Sequence, residues 1–297
     1  MPSDSFNQFV NTLSAVQRTK NPTVAEMRAG WETFAAPFVP APDITFEPVN
    51  DSGVRAEWGV APNSDRSRVM LFLHGGGYNI GSIQSYRGFV GRLSRATQAR
   101  VLSVDYRLAP EHLFPAAVDD CLSAYRWLLA NGVAPNRIVV AGDSAGGGLA
   151  FSTLLAARDA GDPLASAIVA ISPSTDLAKE GESIHARAHL DPIVSYETSM
   201  AHALRYVGAS GDLKHPLASP LYADLHDLPP SLIMVGTHET LFDDSTRIAA
   251  KARAAGVNVE LDIWEGMIHI WPFFADVLPE GAMAIDKIGQ FVKTHIP

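Results

Sequence analysis

The sequence predicts an α/β protein: an eight-stranded, mostly parallel sheet with helices on both faces and a helical cap. Three observations predict it. Eight short runs rich in β-branched and apolar residues recur along the chain, stretches with helical spacing separate the later runs, and two segments, 1–40 and 174–222, fall outside the alternation. The first runs, DITFEPV (43–49) and VRAEWGV (54–60), have no helix between them and read as an antiparallel opening pair. The others are RVMLFLH (68–74), RVLSVD (100–105), RIVVAGD (137–143), AIVAIS (167–172), SLIMVGT (231–237) and VNVELDIW (257–264). Helices are expected near 84–98, 115–130, 145–160, 243–255 and 282–294, and a strand-helix alternation of this kind builds a parallel sheet covered on both faces. Residues 1–40 read as one or two amphipathic helices, and 195–208 carries Met200, Ala203, Leu204 and Val207 at helical spacing. An excursion of about fifty residues from a compact sheet is usually functional, so the two segments are expected to pack together as a cap. The catalytic domain is then 41–173 plus 223–297, with 174–222 inserted.

Composition narrows the function. With 297 residues, 47% of them hydrophobic, the chain can bury a large core. A net charge of −9 and the lack of a Lys/Arg-rich block argue against capture of nucleic acid or of an anionic membrane. The apolar runs fall far short of the ~20 residues of a membrane span, and MPSDSFNQFV lacks the features of a signal peptide, so a soluble cytoplasmic protein is expected. Cys121 is the only cysteine, which excludes an intrachain disulfide and suits a packing role.

The strongest local signal is GDSAG (142–146), directly after a strand and before a helix. A bare G-x-S-x-G occurs by chance in about one chain of this size in ten, so the strand-turn-helix context carries the inference. Ser144 is the nucleophile candidate, exposed at the carboxyl end of the sheet above a helix N-terminus. HGGGY (74–78) closes another strand, and a glycine run lets backbone N–H groups face a reacting carbonyl. Gly76, Gly77 and Ala145 are the expected oxyanion donors, and His74 reads as an orienter of the loop. A serine needs a base, itself held by a carboxylate. Among ten histidines His269 stands out, in GMIHIW just past the last strand. The acid should follow strand seven, where VGTHETLFDDS (235–245) offers Glu239, Asp243 and Asp244. Glu239 comes as the strand ends, whereas the two aspartates suit a helix N-terminus, so Glu239 is preferred and Asp243 stays open. His185 and His189 have the i, i+4 spacing of two metal ligands but no third partner, so they read as a polar helix face in the cap, and no metal or cofactor is expected.

The order Ser144, Glu239, His269 is that of α/β-hydrolases. HGGGY, DYRLAPEHLFPAAVDD (105–120), GDSAGG and GMIH together resemble the hormone-sensitive-lipase-like family of that fold through nearly the whole chain. The resemblance implies an oxyanion hole on Gly76, Gly77 and Ala145, a segment containing Tyr106, Arg107, Pro110, Glu111, Pro115 and Asp119 that braces the sheet, and a two-part cap. Many relatives have Asp-Pro-Leu at the acid; Glu239-Thr240-Leu241 resembles a smaller branch of bacterial esterases and proteins similar to monoterpene ε-lactone hydrolases. The expected activity is a serine-dependent carboxylesterase acting on small to medium hydrophobic esters through an acyl-enzyme. Lactones, and an amidase or deacetylase activity, remain open. A non-catalytic receptor such as the plant gibberellin receptors is the remaining reading, although those lose the histidine that His269 supplies here. The expected partner is a small-molecule ester or lactone, with the chain a monomer or, through the edge strand VNVELDIW, a homodimer.

Overall fold

A computed structural model describes residues 2–15, 22–50, 53–209 and 211–296. Positions 1, 16–21 and 210 of the expected cap, and 51, 52 and 297 of the expected catalytic domain, lie outside the described residues. In chain order the elements are α1 (Asp4–Ala15), α2 (Val24–Ala35), β1 (Thr45–Val49), β2 (Ala56–Val60), β3 (Asp65–Leu73), α3 (Ile83–Thr97), β4 (Ala99–Val104), α4 (Ala116–Ala130), β5 (Ile138–Asp143), α5 (Ala145–Asp159), β6 (Ala167–Ile171), α6 (Ser183–Ala186), α7 (Tyr196–Val207), β7 (Ser231–Gly236), α8 (Phe242–Ala254), β8 (Val259–Trp264) and α9 (Pro279–His295). All eight expected strands form one sheet in the order β1-β2-β4-β3-β5-β6-β7-β8. The opening pair is antiparallel, β2 also runs antiparallel to β4, and every pairing from β4 through β8 is parallel.

Side-chain alternation explains why the central strands read as continuous apolar runs. On β3, Val69, Leu71 and Leu73 enter the core shared with α4, α5 and α8, while Met70 and Phe72 enter the one shared with α3 and α9. Both sets are fully buried, and each such side chain contributes ~1.5–3 kcal/mol relative to exposure. Cys121 lies in the first core as a free thiol. Within 105–120, Tyr106 donates its hydroxyl to the carbonyl of His74 at the end of β3 at 2.7 Å, and Arg107 pairs with Asp120 of α4 at 2.8 Å.

The N-terminal helices dock through aromatic rings. Phe9, Phe34 and Phe38 pack on Phe273 and Phe274, with centroid separations of 4.8 to 5.9 Å, so these side chains meet the segment just beyond His269 more than they meet one another. The insertion differs from expectation at the histidine pair. Helix α6 ends at Ala186, so His185 lies on it and His189 falls in the following turn, and the two share no helix face. The His185 ring packs on Tyr196 instead, at 4.7 Å. No helix among the described residues is long and apolar enough to cross a membrane. At the sheet edge, Lys287 reaches Asp262 at 2.7 Å and Glu260 at 3.2 Å, setting charge along β8.

Candidate active site

Chain direction places the chemistry. From β3 the chain leaves through α3 to β4 on one side, and from the adjacent β5 it leaves through α5 to β6 on the other. Crossovers that diverge in this way leave a crevice at the carboxyl ends of the two strands. His74–Tyr78 follows β3 and Ser144 follows β5, so both line that crevice. Ser144 joins strand to helix with φ 52° and ψ −119°, a conformation that costs free energy and is held by its surroundings. Its N–H donates to Ile171 O at 2.8 Å, and its carbonyl accepts from Ser174 N at 2.9 Å. A side chain at Gly146 would collide with the carbonyl of Leu73, so only glycine lets the elbow lie this close to β3.

Three side chains from the ends of β5, β7 and β8 meet in a line. Ser144 Oγ lies 2.9 Å from His269 Nε2, and His269 Nδ1 lies 3.1 Å from Glu239 Oε2. Ser144 is half-buried, while His269 and Glu239 are buried. An ionised carboxylate only accepts, so Nδ1 carries the proton and Nε2 is left to accept from the serine hydroxyl. The other carboxylate oxygen, Oε1, accepts from Gly236 N at 2.6 Å and Ser172 Oγ at 2.8 Å. Ser172 Oγ in turn accepts from Ile270 N at 3.0 Å, so one hydroxyl ties the acid to the histidine loop.

Burial pushes the Glu239 carboxyl up, opposed by its hydrogen bond and attraction to His269. Burial would pull His269 down, but the hydrogen bond and charge of Glu239, with Asp191 and Asp143 behind, outweigh it and leave the imidazole above its ordinary 6.5. A base must be neutral, so activity is expected to rise with pH through the His269 pKa, with an acid limb above 6.5 in kcat/KM profiles. Activity that does not fall as the pH is lowered would contradict His269 as the base.

The glycine loop has its N–H groups sorted by use. Gly75 N donates to Asp143 Oδ1 at 3.0 Å and Tyr86 Oη at 3.1 Å, so it is already engaged. Among the described residues no acceptor meets the N–H of Gly76, Gly77 or Ala145. In a trans peptide the N–H points opposite the preceding carbonyl, so holding that carbonyl aims the N–H. His74 Nδ1 donates to Gly75 O at 2.8 Å, which orients the N–H of Gly76; Asn79 N and Ile80 N donate to Gly76 O at 3.0 Å, which orients that of Gly77. Burial lowers the His74 pKa and keeps the ring neutral, the form that this single donation needs.

The three carboxylates of 235–245 separate by contact. Asp243 Oδ2 accepts from Ser183 N at 2.9 Å, docking α6 on α8. Asp244 takes the N–H groups of Thr175 and Asp176, at 2.8 and 2.9 Å. Only Glu239 of the three hydrogen-bonds His269 among the described residues. Sequence reasoning missed Ser172 and Asp191. Asp191 Oδ2 accepts from Thr240 N at 2.9 Å and steadies the acid's neighbour from the insertion. A polar residue closing the apolar strand AIVAIS was the one signal for Ser172; nothing in the spacing marked Asp191. Concavity would have misdirected: a cavity of about 610 Å³ opens at the amino ends of β7 and β8, beside Ser231, Val259, Lys287 and His295, and none of the six expected site residues borders it.

A half-buried serine, a buried imidazole and a buried carboxylate, hydrogen-bonded in that order at the switch point of a parallel sheet, define a hydrolase of the α/β-hydrolase class. A family model described as alpha/beta hydrolase fold matches residues 70–273. An acetyl-hydrolase from Streptomyces hygroscopicus is 46% identical over 239 residues, covering 80% of this chain and 79% of the relative. An esterase from Acinetobacter venetianus is 33% identical over 250 residues, covering 84% and 82%. The crystal structure of an esterase from the bacterial hormone-sensitive lipase family superposes with a TM-score of 0.97 at 44% identity, covering 100% of both chains. The chain belongs to the bacterial hormone-sensitive lipase family of α/β-hydrolases.

Proposed function

We propose that this carboxylic ester hydrolase works through Ser144 as nucleophile, His269 as general base and acid, and Glu239 as the carboxylate that holds the imidazole. The unbroken hydrogen-bonded line from Ser144 Oγ through His269 to Glu239 carries the reading. Ser144 Oγ attacks the ester carbonyl carbon as His269 Nε2 takes its proton, and the N–H groups of Gly76, Gly77 and Ala145 receive the oxyanion. Collapse breaks the bond to the alkoxy oxygen, which leaves as alcohol with the proton from His269. Water, deprotonated by the same nitrogen, attacks the acyl-enzyme and releases the carboxylic acid with Ser144 restored.

Residues 1–40 and 174–222 act as the cap over this site. Three contacts support that role: the Tyr206 ring of α7 stacks on Tyr78 of the glycine loop at 3.8 Å, Asn79 Nδ2 donates to the carbonyl of His202 at 3.2 Å, and Arg28 of α2 donates to the carbonyl of Asn79 at 2.9 Å. A cap drawn in so closely suits small to medium hydrophobic acyl groups, and lactones are the cyclic members of the same substrate class. The expected result is a higher kcat/KM on p-nitrophenyl acetate, butyrate or hexanoate than on the myristate, and ester or lactone turnover above that of a matched amide. A maximum at the myristate would overturn the size assignment, and preferred amide cleavage the leaving group.

A further inference from the structure

We infer that Asn79 is a positioning residue through which both flanking segments aim the oxyanion-binding N–H of Gly77. The inference rests on the serine-esterase reading above. Asn79 is fully buried, and its hydrogen bonds divide between the two sides it joins. Toward the loop, its backbone N–H donates to Gly76 O at 3.0 Å and its side-chain amide to Gly77 O at 2.5 Å. The backbone of Asn79, with Ile80 N, holds the carbonyl before the Gly77 N–H, and the Asn79 side chain holds the carbonyl of Gly77 itself, so the residue is pinned on both sides. Toward the flanking segments, the amide also donates to His202 O on α7 at 3.2 Å, and the Asn79 carbonyl accepts from Arg28 Nε on α2 at 2.9 Å.

A primary amide has two N–H donors, which matches the two carbonyls, Gly77 O and His202 O, that it meets. An alanine keeps the backbone donation to Gly76 O but leaves Gly77 O and His202 O without the amide that anchors Gly77 to α7, and an aspartate sets an anion against them. Arg28 is itself fixed, donating to Ala109 O at 3.1 Å and making a forked pair with Glu111 at 2.9 and 2.7 Å. Helix α7 also reaches Gly77 sterically: at φ 60°, a side chain there would collide with the His202 ring. Gly77 therefore has its carbonyl held by the Asn79 side chain and its open side bounded by α7, while Asn79 shares with Ile80 the hold on the preceding carbonyl.

Positioning and mere filling of a buried polar site predict different kinetics. Displacing a catalytic group by about 1 Å costs on the order of 10²-fold. With active sites counted by organophosphate titration, Asn79→Ala is expected to lower kcat for p-nitrophenyl butyrate by about 10- to 100-fold per titrated site, with KM within about threefold. Inhibition by a trifluoromethyl ketone, whose serine adduct places an oxyanion on the same N–H groups, should weaken by the same factor as kcat. Arg28→Ala, which leaves Asn79 in place, should move both readouts in the same direction by a smaller factor. Wild-type kcat per site and unchanged ketone inhibition in Asn79→Ala would overturn the proposal; if that variant does not fold, the same result in Arg28→Ala would overturn it. Ser144→Ala runs alongside: if it stays active, the reading of the site fails, and if it is inactive while the Asn79 and Arg28 variants behave as wild type, only the positioning role fails.

Discussion

Ser144→Ala is expected to lower kcat for p-nitrophenyl butyrate by about 10⁵- to 10⁶-fold while leaving the melting temperature nearly unchanged. Removing the hydroxyl group creates no buried unpaired charge, because His269 keeps its bond to Glu239 and the elbow keeps the backbone bonds of residue 144 to Ile171 and Ser174. What disappears is the covalent route. The N–H groups of Gly76, Gly77 and Ala145 would still favour a developing oxyanion, and donors of this kind sustain a residual rate about 10³- to 10⁴-fold above water. The same variant should resist an organophosphate that labels the wild-type enzyme at Ser144, as seen by intact mass. Retention of a tenth of the wild-type rate would remove Ser144 from the mechanism.

Glu239→Gln is expected to lower kcat by about 10³- to 10⁴-fold through the imidazole tautomer. Gly236 N and Ser172 Oγ both donate to Glu239 Oε1, so a glutamine keeps its oxygen there and turns its NH₂ toward His269 Nδ1. Nδ1 must then accept, the ring proton moves to Nε2, and the nitrogen facing Ser144 Oγ can no longer take its proton. The pH profile should move as well. The Glu239 hydrogen bond and charge are the foremost contributions raising His269 against burial, so without them the acid limb of the remaining activity shifts to lower pH. Asp243→Asn, whose oxygen can still accept from Ser183 N, should leave the limb in place. If Asp243→Asn collapses activity and Glu239→Gln does not, the acid has been misassigned.

How far the site was legible in the chain follows from the range of each interaction. Ser144 and the glycines could be located because their requirements are local: a serine between strand and helix, and a run of residues with no side chain after a strand. The choice among Glu239, Asp243 and Asp244 could not be closed in the same way, because three carboxylates lie within six residues of the chain. Their partners come from elsewhere, Asp243 being taken by Ser183 and Asp244 by the backbone of Thr175 and Asp176. Ser172 and Asn79 stayed hidden for that reason. Ser172 joins Glu239 to Ile270 across 67 and 98 residues, and Asn79 meets His202 across 123. The insertion misled at His185 and His189, where i, i+4 spacing suggested a helix that ends at Ala186.

By itself, the sequence determined the eight strands, the chain order of Ser144, a carboxylate-bearing stretch after β7 and His269, and the two segments that interrupt the alternation, because burial periodicity, turn chemistry and chain order are properties of neighbouring residues. The tertiary structure alone decided that β4 lies between β2 and β3, which opens the crevice beside β3, and that Glu239 is the carboxylate on His269. It also decided that Asn79 stands where α2, α7 and the glycine loop meet. Each of these depends on hydrogen bonds and packing between segments far apart in the chain, whose energies are realised only after the sheet has brought them within reach.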